Sequence, residues 1–144
     1  MIYLGPVAPA HYATIVQWLN DPDALRFSRH HGQRHTVETQ RDFISRIQPP
    51  SRYWGLFDAR RLVGTMTWMV KDRRLDVGLL IGFPQCGSAT EALRQTIVLA
   101  AVAGYDRVTA GCHCEHTAMQ RVCEKAGMMR TREEGGNYYY ASVL

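Results

Sequence analysis

Residues 75–93 read LDVGLLIGFPQCGSATEAL, and the fold turns on how this stretch is divided. Leu75–Ile81 is an apolar run whose only charge is Asp76, the composition of a largely buried strand. It breaks at Gly82, Phe83 and Pro84. Ser88-Ala89-Thr90-Glu91 then has the form of a capping box, which predicts a helix in which the Ser88 hydroxyl accepts from the Glu91 N–H and the Glu91 carboxylate reaches back. A strand, a tight loop and a capped helix together present backbone N–H groups and the positive end of the helix dipole, suited to a phosphate or pyrophosphate. An ordinary strand-to-helix connection with no ligand has the same pattern.

Working outward, Met1–Val7 reads as a first strand, and Tyr12, Ile15, Val16 and Leu19 give residues 10–20 a helical stripe that stops at Asn20-Asp21-Pro22. Residues 23–35 are polar, basic and histidine-rich, a loop. Thr36 is positioned to cap a second helix with Val37, Gln40, Phe43, Ile44 and Ile47 along one side. Tyr53–Phe57 and Leu62–Val70 form a predicted hairpin, so three antiparallel strands precede the loop at residue 82. Beyond it, the helix from Ser88 turns Ala89, Leu93, Ile97, Ala100 and Ala101 inward and ends at Gly104. Arg107–Cys114 is a strand, Thr117–Gln120 a second capping box opening a helix with Met119, Val122, Cys123 and Ala126 inward, and 128–133 with 137–143 a last hairpin around Gly135-Gly136. The order β-α-α-β-β-β-α-β-α-β-β predicts an α+β fold: a mixed, mostly antiparallel seven-stranded sheet, four helices and one parallel crossover.

The 144 residues suit one domain, 1–144. Neither a membrane-spanning run nor a signal-peptide pattern is present, so the expectation is a cytoplasmic protein with no membrane partner. Net charge is +4, and the excess is local: eight arginines lie between Arg26 and Arg61 against Glu38, Asp42 and Asp58. Such an arm attracts acidic ligands or nucleic acid, although a solvated basic face has the same composition. The four cysteines form no C-x-x-C pair and read as free thiols.

The whole chain resembles the GNAT-type, acetyl-CoA-dependent N-acetyltransferases. Trp18-Leu19-Asn20-Asp21-Pro22 is similar to a helix end in the subgroup of ribosomal-protein N-terminal and amino-sugar acetyltransferases. Asp76–Gly82, Gly87 and Ala89–Leu93 resemble the family's cofactor strand, pyrophosphate loop and helix, and Arg121–Met128 resembles its late helix. The resemblance implies acetyl transfer from acetyl-CoA to a primary amine, on a small molecule or a peptide, by direct attack. It also implies that Leu79, Leu80 and Ile81 line the pantetheine arm and that Gln85, Cys86, Gly87, Ser88, Ala89 and Thr90 hold the pyrophosphate. His116 and Met119 stand where the family has a cofactor-contacting Asn and a Ser. Cys123 stands where it often has the Tyr that protonates the departing thiolate. The loop departs from the usual pattern, with Gly82 in place of a basic residue and Gln85 in place of a glycine.

The chemistry requires a neutral amine, a donor for the developing oxyanion and an acid for the thiolate. Asp76 is the candidate base, with Glu115 second; Cys123 is a candidate acid, and His116 a base or donor. Arg29, His30, His31 and Tyr138, with Tyr139 and Tyr140 beside it, are candidate substrate contacts, between the early loop and the last hairpin. Three alternatives remain. The fold can have lost its chemistry and kept CoA-ester binding. The basic arm, with Phe27, Phe43, Tyr53 and Trp54, can dock nucleic acid. Cys112, Cys114 and His116 alternate on a strand, with Cys123 beyond, and suit zinc by ligand type but not by spacing; the expectation is no metal. Oligomeric state is not legible in the sequence.

Overall fold

The computed structural model describes residues 1–23, 26–27, 33–82 and 87–144. Its strands are β1 (Ile2–Pro6), β2 (Arg52–Asp58), β3 (Arg61–Lys71), β4 (Arg74–Ile81), β5 (Arg107–His113), β6 (Met129–Glu134) and β7 (Asn137–Val143), joined in one sheet in the order β1-β2-β3-β4-β5-β7-β6. The α-helices are α1 (Tyr12–Leu19), α2 (Val37–Ser45), α3 (Ser88–Ala103) and α4 (Thr117–Lys125). Element order, strand number and the α+β class are those the sequence predicts. Every neighbouring pair of strands is antiparallel except β4 and β5, which α3 connects, because a parallel pair needs a long crossover rather than a tight turn. β7 inserts between β5 and β6, so the last hairpin places β6 at the sheet edge.

The helices divide between the two faces of the sheet. On one face, Ala92, Leu93 and Ala100 of α3 and Cys123 of α4 pack against Leu75 and Val77 of β4, Val108, Ala110 and Cys112 of β5, and Tyr140 of β7. On the other face, Ile15 and Trp18 of α1 pack on Phe57 and Leu62, with Tyr53 and Leu80 at the margin. α2 adds little to either core: its buried residue is Gln40, whose amide donates to the Tyr53 hydroxyl at 2.9 Å, while Phe43 is 38% exposed. The expected stripe is the less exposed side of the helix: Gln40 is buried, Val37, Ile44 and Ile47 are partly buried, and Phe43 is its exposed member.

Several local expectations are corrected. Ser88 does not cap α3. The cap is Gly87, in the left-handed region at φ 73° where a residue without Cβ is favoured, and Ser88 is the first helical residue, 1% exposed. Glu91 does not reach back to Ser88; its carboxylate accepts from the Ile2 N–H at 3.1 Å and ties the helix to β1. The inward stripe of α3 is Ser88, Ala92, Leu93, Thr96 and Ala100, with Ala101 exposed. The rotation is stabilised by a buried polar contact: Trp68 Nε1 donates to Thr96 Oγ1 at 3.2 Å, and Thr96 Oγ1 to Met66 Sδ at 3.0 Å. Thr117 does not cap α4 either. His116 is the cap, and the Gln120 side chain donates to the Cys114 carbonyl at 2.8 Å. Thr36 caps α2 as expected, accepting from the Thr39 N–H at 3.1 Å.

Candidate active site

β4 and β5 run parallel from Arg74↔Arg107 to Val77↔Ala110, where their pairing ends. β4 continues to Ile81, held on its other side by β3 as far as Gly64↔Ile81, and β5 continues to His113, held by β7 as far as His113↔Asn137. The two strands therefore part beyond Val77 and Ala110. Alternate main-chain N–H and C=O groups of Gly78–Ile81 turn toward the gap, where β5 does not pair with them. An extended ligand can pair with them there as an added strand does.

Gly87 and α3 lie past the end of β4. The first helical bond runs from Glu91 N to Gly87 O at 3.2 Å, so the Ala89 and Thr90 N–H groups have no acceptor within the helix. Among the described residues, nothing lies within 4 Å of a Cβ built on Gly87. Gln85 and Cys86 lie outside the described residues, as do Arg29, His30 and His31.

Residue parity sorts the remaining candidates. Leu79 and Ile81 pack on the α3 side and Leu80 on the α1 side. Asp76 is exposed on the α1 face, where its carboxylate accepts from Thr109 Oγ1 at 2.7 Å. The next positions on that face are Gly78 and Gly111, both exposed, followed by His113. Gly111 pairs with Tyr139, whose ring lies 3.1 Å from where a Gly111 Cβ would be, with the Arg132 guanidinium 4.4 Å from the ring centre. Asp76, Thr109, Gly78, Gly111 and Tyr139 thus surround the α1-side opening of the gap. Tyr138 faces the other way: it packs on the α3/α4 core with Arg130 over its ring. Of the candidate tyrosines 138–140, Tyr139 is the one on the Asp76 face; three consecutive tyrosines give no parity until the register with β5 is known.

His116 caps α4, half-buried, and its pKa is lowered by burial and by the neighbouring His113, so the neutral ring is favoured. The Glu115 N–H donates to His113 Nδ1 at 3.1 Å while the Glu115 side chain is in solvent. Phe27 lies across both imidazoles, with ring centres 5.4 Å from His113 and 4.9 Å from His116. Met119 is half-buried against the core. Cys123 is fully buried, and burial, then Cys112 and Glu124, push its thiol up to about 12. A thiol held so firmly is a poor proton donor, which weighs against Cys123 as the acid. Among the described residues no three His, Cys, Asp or Glu side chains converge on a metal position. Tyr53 and Trp54 pack on opposite faces of the sheet, so they offer no shared stacking platform for bases.

The fold and the parted strands define the class of protein. The acetyltransferase (GNAT) domain family matches residues 2–129. The chain belongs to the GNAT acetyltransferase family. Its fold is shared by a GNAT-family acetyltransferase from Bacillus anthracis, 20% identical, TM-score 0.83, over 99% of this chain and 94% of that one. The microcin C7 self-immunity acetyltransferase MccE, solved with acetyl-CoA and AMP, is 13% identical, TM-score 0.82, over 99% and 92%. Spermidine N-acetyltransferase from Vibrio cholerae, solved with CoA and spermine, is 9% identical, TM-score 0.83, over 99% and 95%. No curated protein sequence matches the chain significantly. Among the described residues no helix is long and apolar enough to cross a membrane.

Proposed function

We propose that the chain binds acetyl-CoA in the gap between β4 and β5 and transfers its acetyl group to a primary amine that approaches from the Asp76 face. The observation that carries this reading is the end of strand pairing at Val77↔Ala110, which leaves the main chain of Gly78–Ile81 open to an extended arm. The amides of Gly87, Ser88, Ala89 and Thr90 would hold the pyrophosphate, with His116 and Met119 closing the α4 side. When bound, acetyl-CoA supplies the activated acetyl group. The protein's part is to orient an amine over Gly78 and Gly111 and to accept its proton. Asp76 is the acceptor of that proton: its carboxylate is exposed, fixed by the Thr109 hydroxyl, and retains unused lone pairs. His116, with its neutral form favoured, is a second group for proton transfer or donation. Cys123 is left out of the chemistry because it is buried.

The Trp18–Pro22 resemblance directs the choice of acceptor toward protein N-termini and amino sugars, with polyamines next. The decisive measurement is thermal unfolding with acetyl-CoA. At 100 times its dissociation constant the ligand stabilises the fold by about 2.7 kcal/mol. No shift at millimolar acetyl-CoA overturns the reading. An acceptor screen that follows release of the CoA thiol then identifies the amine.

A further inference from the structure

We propose that Trp18 is a positioning residue for CoA binding: its indole, laid on the main chain of Gly82, fixes the point at which the chain leaves β4 toward α3, whose first amides the proposed function assigns to the pyrophosphate. A Cβ built on Gly82 would overlap Trp18 Cε2 and Cζ2 and fall 2.6 Å from Cδ2, inside the ring's own contact surface. Position 82 can therefore carry no side chain while Trp18 stands where it does. The opposite constraint acts on the main chain, because Gly82 N donates to Val63 O at 2.8 Å. Gly82 is held between a hydrogen bond to β3 and the face of an indole.

The indole is itself firmly placed. Trp18 is 9% exposed and packs with Ile15, Phe57 and Leu62. Two residues later the Asn20 side chain donates to His35 O at 2.8 Å and accepts from His35 N at 2.9 Å, tying the end of α1 to the start of α2. Gly82 also has no helix of its own to stiffen it, since it follows the last residue of β4. α1 lies on the opposite face of the sheet from α3, yet through this contact it sets one end of the connection whose other end is the Gly87 cap of α3. A displacement of about 1 Å in groups that meet a ligand is enough to cost a large factor in binding or rate.

This inference rests on the reading that CoA binds at the gap. Its test is a double-mutant cycle on Trp18→Leu and Gly82→Ala, measuring CoA affinity by calorimetry and stability by urea unfolding on the full chain. Trp18→Phe serves as a gentler variant should Trp18→Leu fail to fold. Gly82→Ala in the native background is expected to weaken CoA binding about tenfold, because the new methyl and the indole must separate. In the Trp18→Leu background, where the space is vacant, the same substitution is expected to cost at most about twofold, a clear departure from additivity. Equal costs in both backgrounds, or CoA affinity unchanged while the urea midpoint falls, would show Trp18 to be core packing alone and overturn the proposal. A native protein that does not bind CoA overturns the underlying reading and the proposal together, an outcome distinct from native binding with unchanged variants.

Discussion

The two faces of β4 and β5 are built from alternating residues of the same short strands, and they differ in nearly every respect. On the α3/α4 side Leu75, Val77, Val108, Ala110 and Cys112 are all buried. On the α1 side the intervening residues are Asp76, Gly78, Thr109 and Gly111, small or polar and at least partly open to solvent. One parity makes the core and the other leaves room for chemistry. A site carried on strands whose opposite face is close-packed is held more accurately than one carried on loops. The comparison also assigns opposite failures to the two faces. Substitutions on the first should cost stability and spare turnover, and those on the second should do the reverse.

The largest effect expected is at Asp76. Asp76→Asn keeps an acceptor for the Thr109 hydroxyl but removes the basic site, and kcat should fall by about 10²-fold or more. Acetyl-CoA affinity and the urea midpoint should stay near native values. Calorimetry and steady-state rates on the same preparation check this, and an Asp76→Asn variant that turns over normally would move the proton acceptor to His116 or to solvent.

The opposite face is broken most directly at Thr96, whose hydroxyl accepts from Trp68 and donates to Met66 inside the core. Thr96→Val leaves the indole N–H with only the Met66 sulfur, at 3.2 Å, a weak acceptor. The expected cost is about 1–2 kcal/mol in urea unfolding, with turnover per folded molecule unchanged.

How far the sequence reveals these faces depends on what each rests on. Strand order and the parallel crossover follow from apolar runs, glycines and helix stripes, which are local. The capping patterns at Ser88 and Thr117 mislead because serine and threonine satisfy such a pattern wherever they fall. Whether they cap depends on where the preceding chain arrives, and here Gly87 and His116 arrive first. The role of Thr96 has no local signature, because its partner Trp68 is 28 positions away. Two glycines of neighbouring strands, Gly64 of β3 and Gly78 of β4, are alike in sequence and opposite in space. At Gly64 a Cβ would fall 2.5 Å from the Leu80 carbonyl oxygen, while at Gly78 it would meet nothing nearer than Thr67 at 3.7 Å.

That contrast sharpens the α1 face. Gly78→Ala is sterically compatible with the fold, so the urea midpoint should change little. A methyl there occupies the space over which the amine is proposed to pass, and kcat/KM for the acceptor should fall several-fold, roughly 1 kcal/mol in the barrier. Parallel measurement with acetyl-CoA at saturation separates this from any effect on CoA binding. A smaller amine should be less affected than a larger one, and an equal loss for both would mean that the acceptor does not cross Gly78.

The smallest effect is expected at Cys123, and it decides whether the family's acid position retains its role in this chain. Burial holds the thiol up at about 12 from an ordinary 9.0. A departing CoA thiolate has the basicity of an ordinary thiol, near ~8.5, so a proton transfer from Cys123 to it would run uphill by about three orders of magnitude. Cys123→Ala should therefore leave kcat per folded molecule unchanged and cost about 1 kcal/mol of stability through the lost packing of one sulfur. The pH dependence separates packing from ionisation. Because the folded pKa is raised, the unfolded chain loses this proton first as pH rises past 9.0. The stability the thiol contributes is complete below 9.0 and is lost progressively toward 12. The stability gap between native protein and Cys123→Ala, measured by urea unfolding at neutral pH and again above pH 10, should narrow at the higher pH. A gap that stays constant would mean that the thiol is not buried as described, and a collapse of kcat at neutral pH would restore Cys123 to the chemistry.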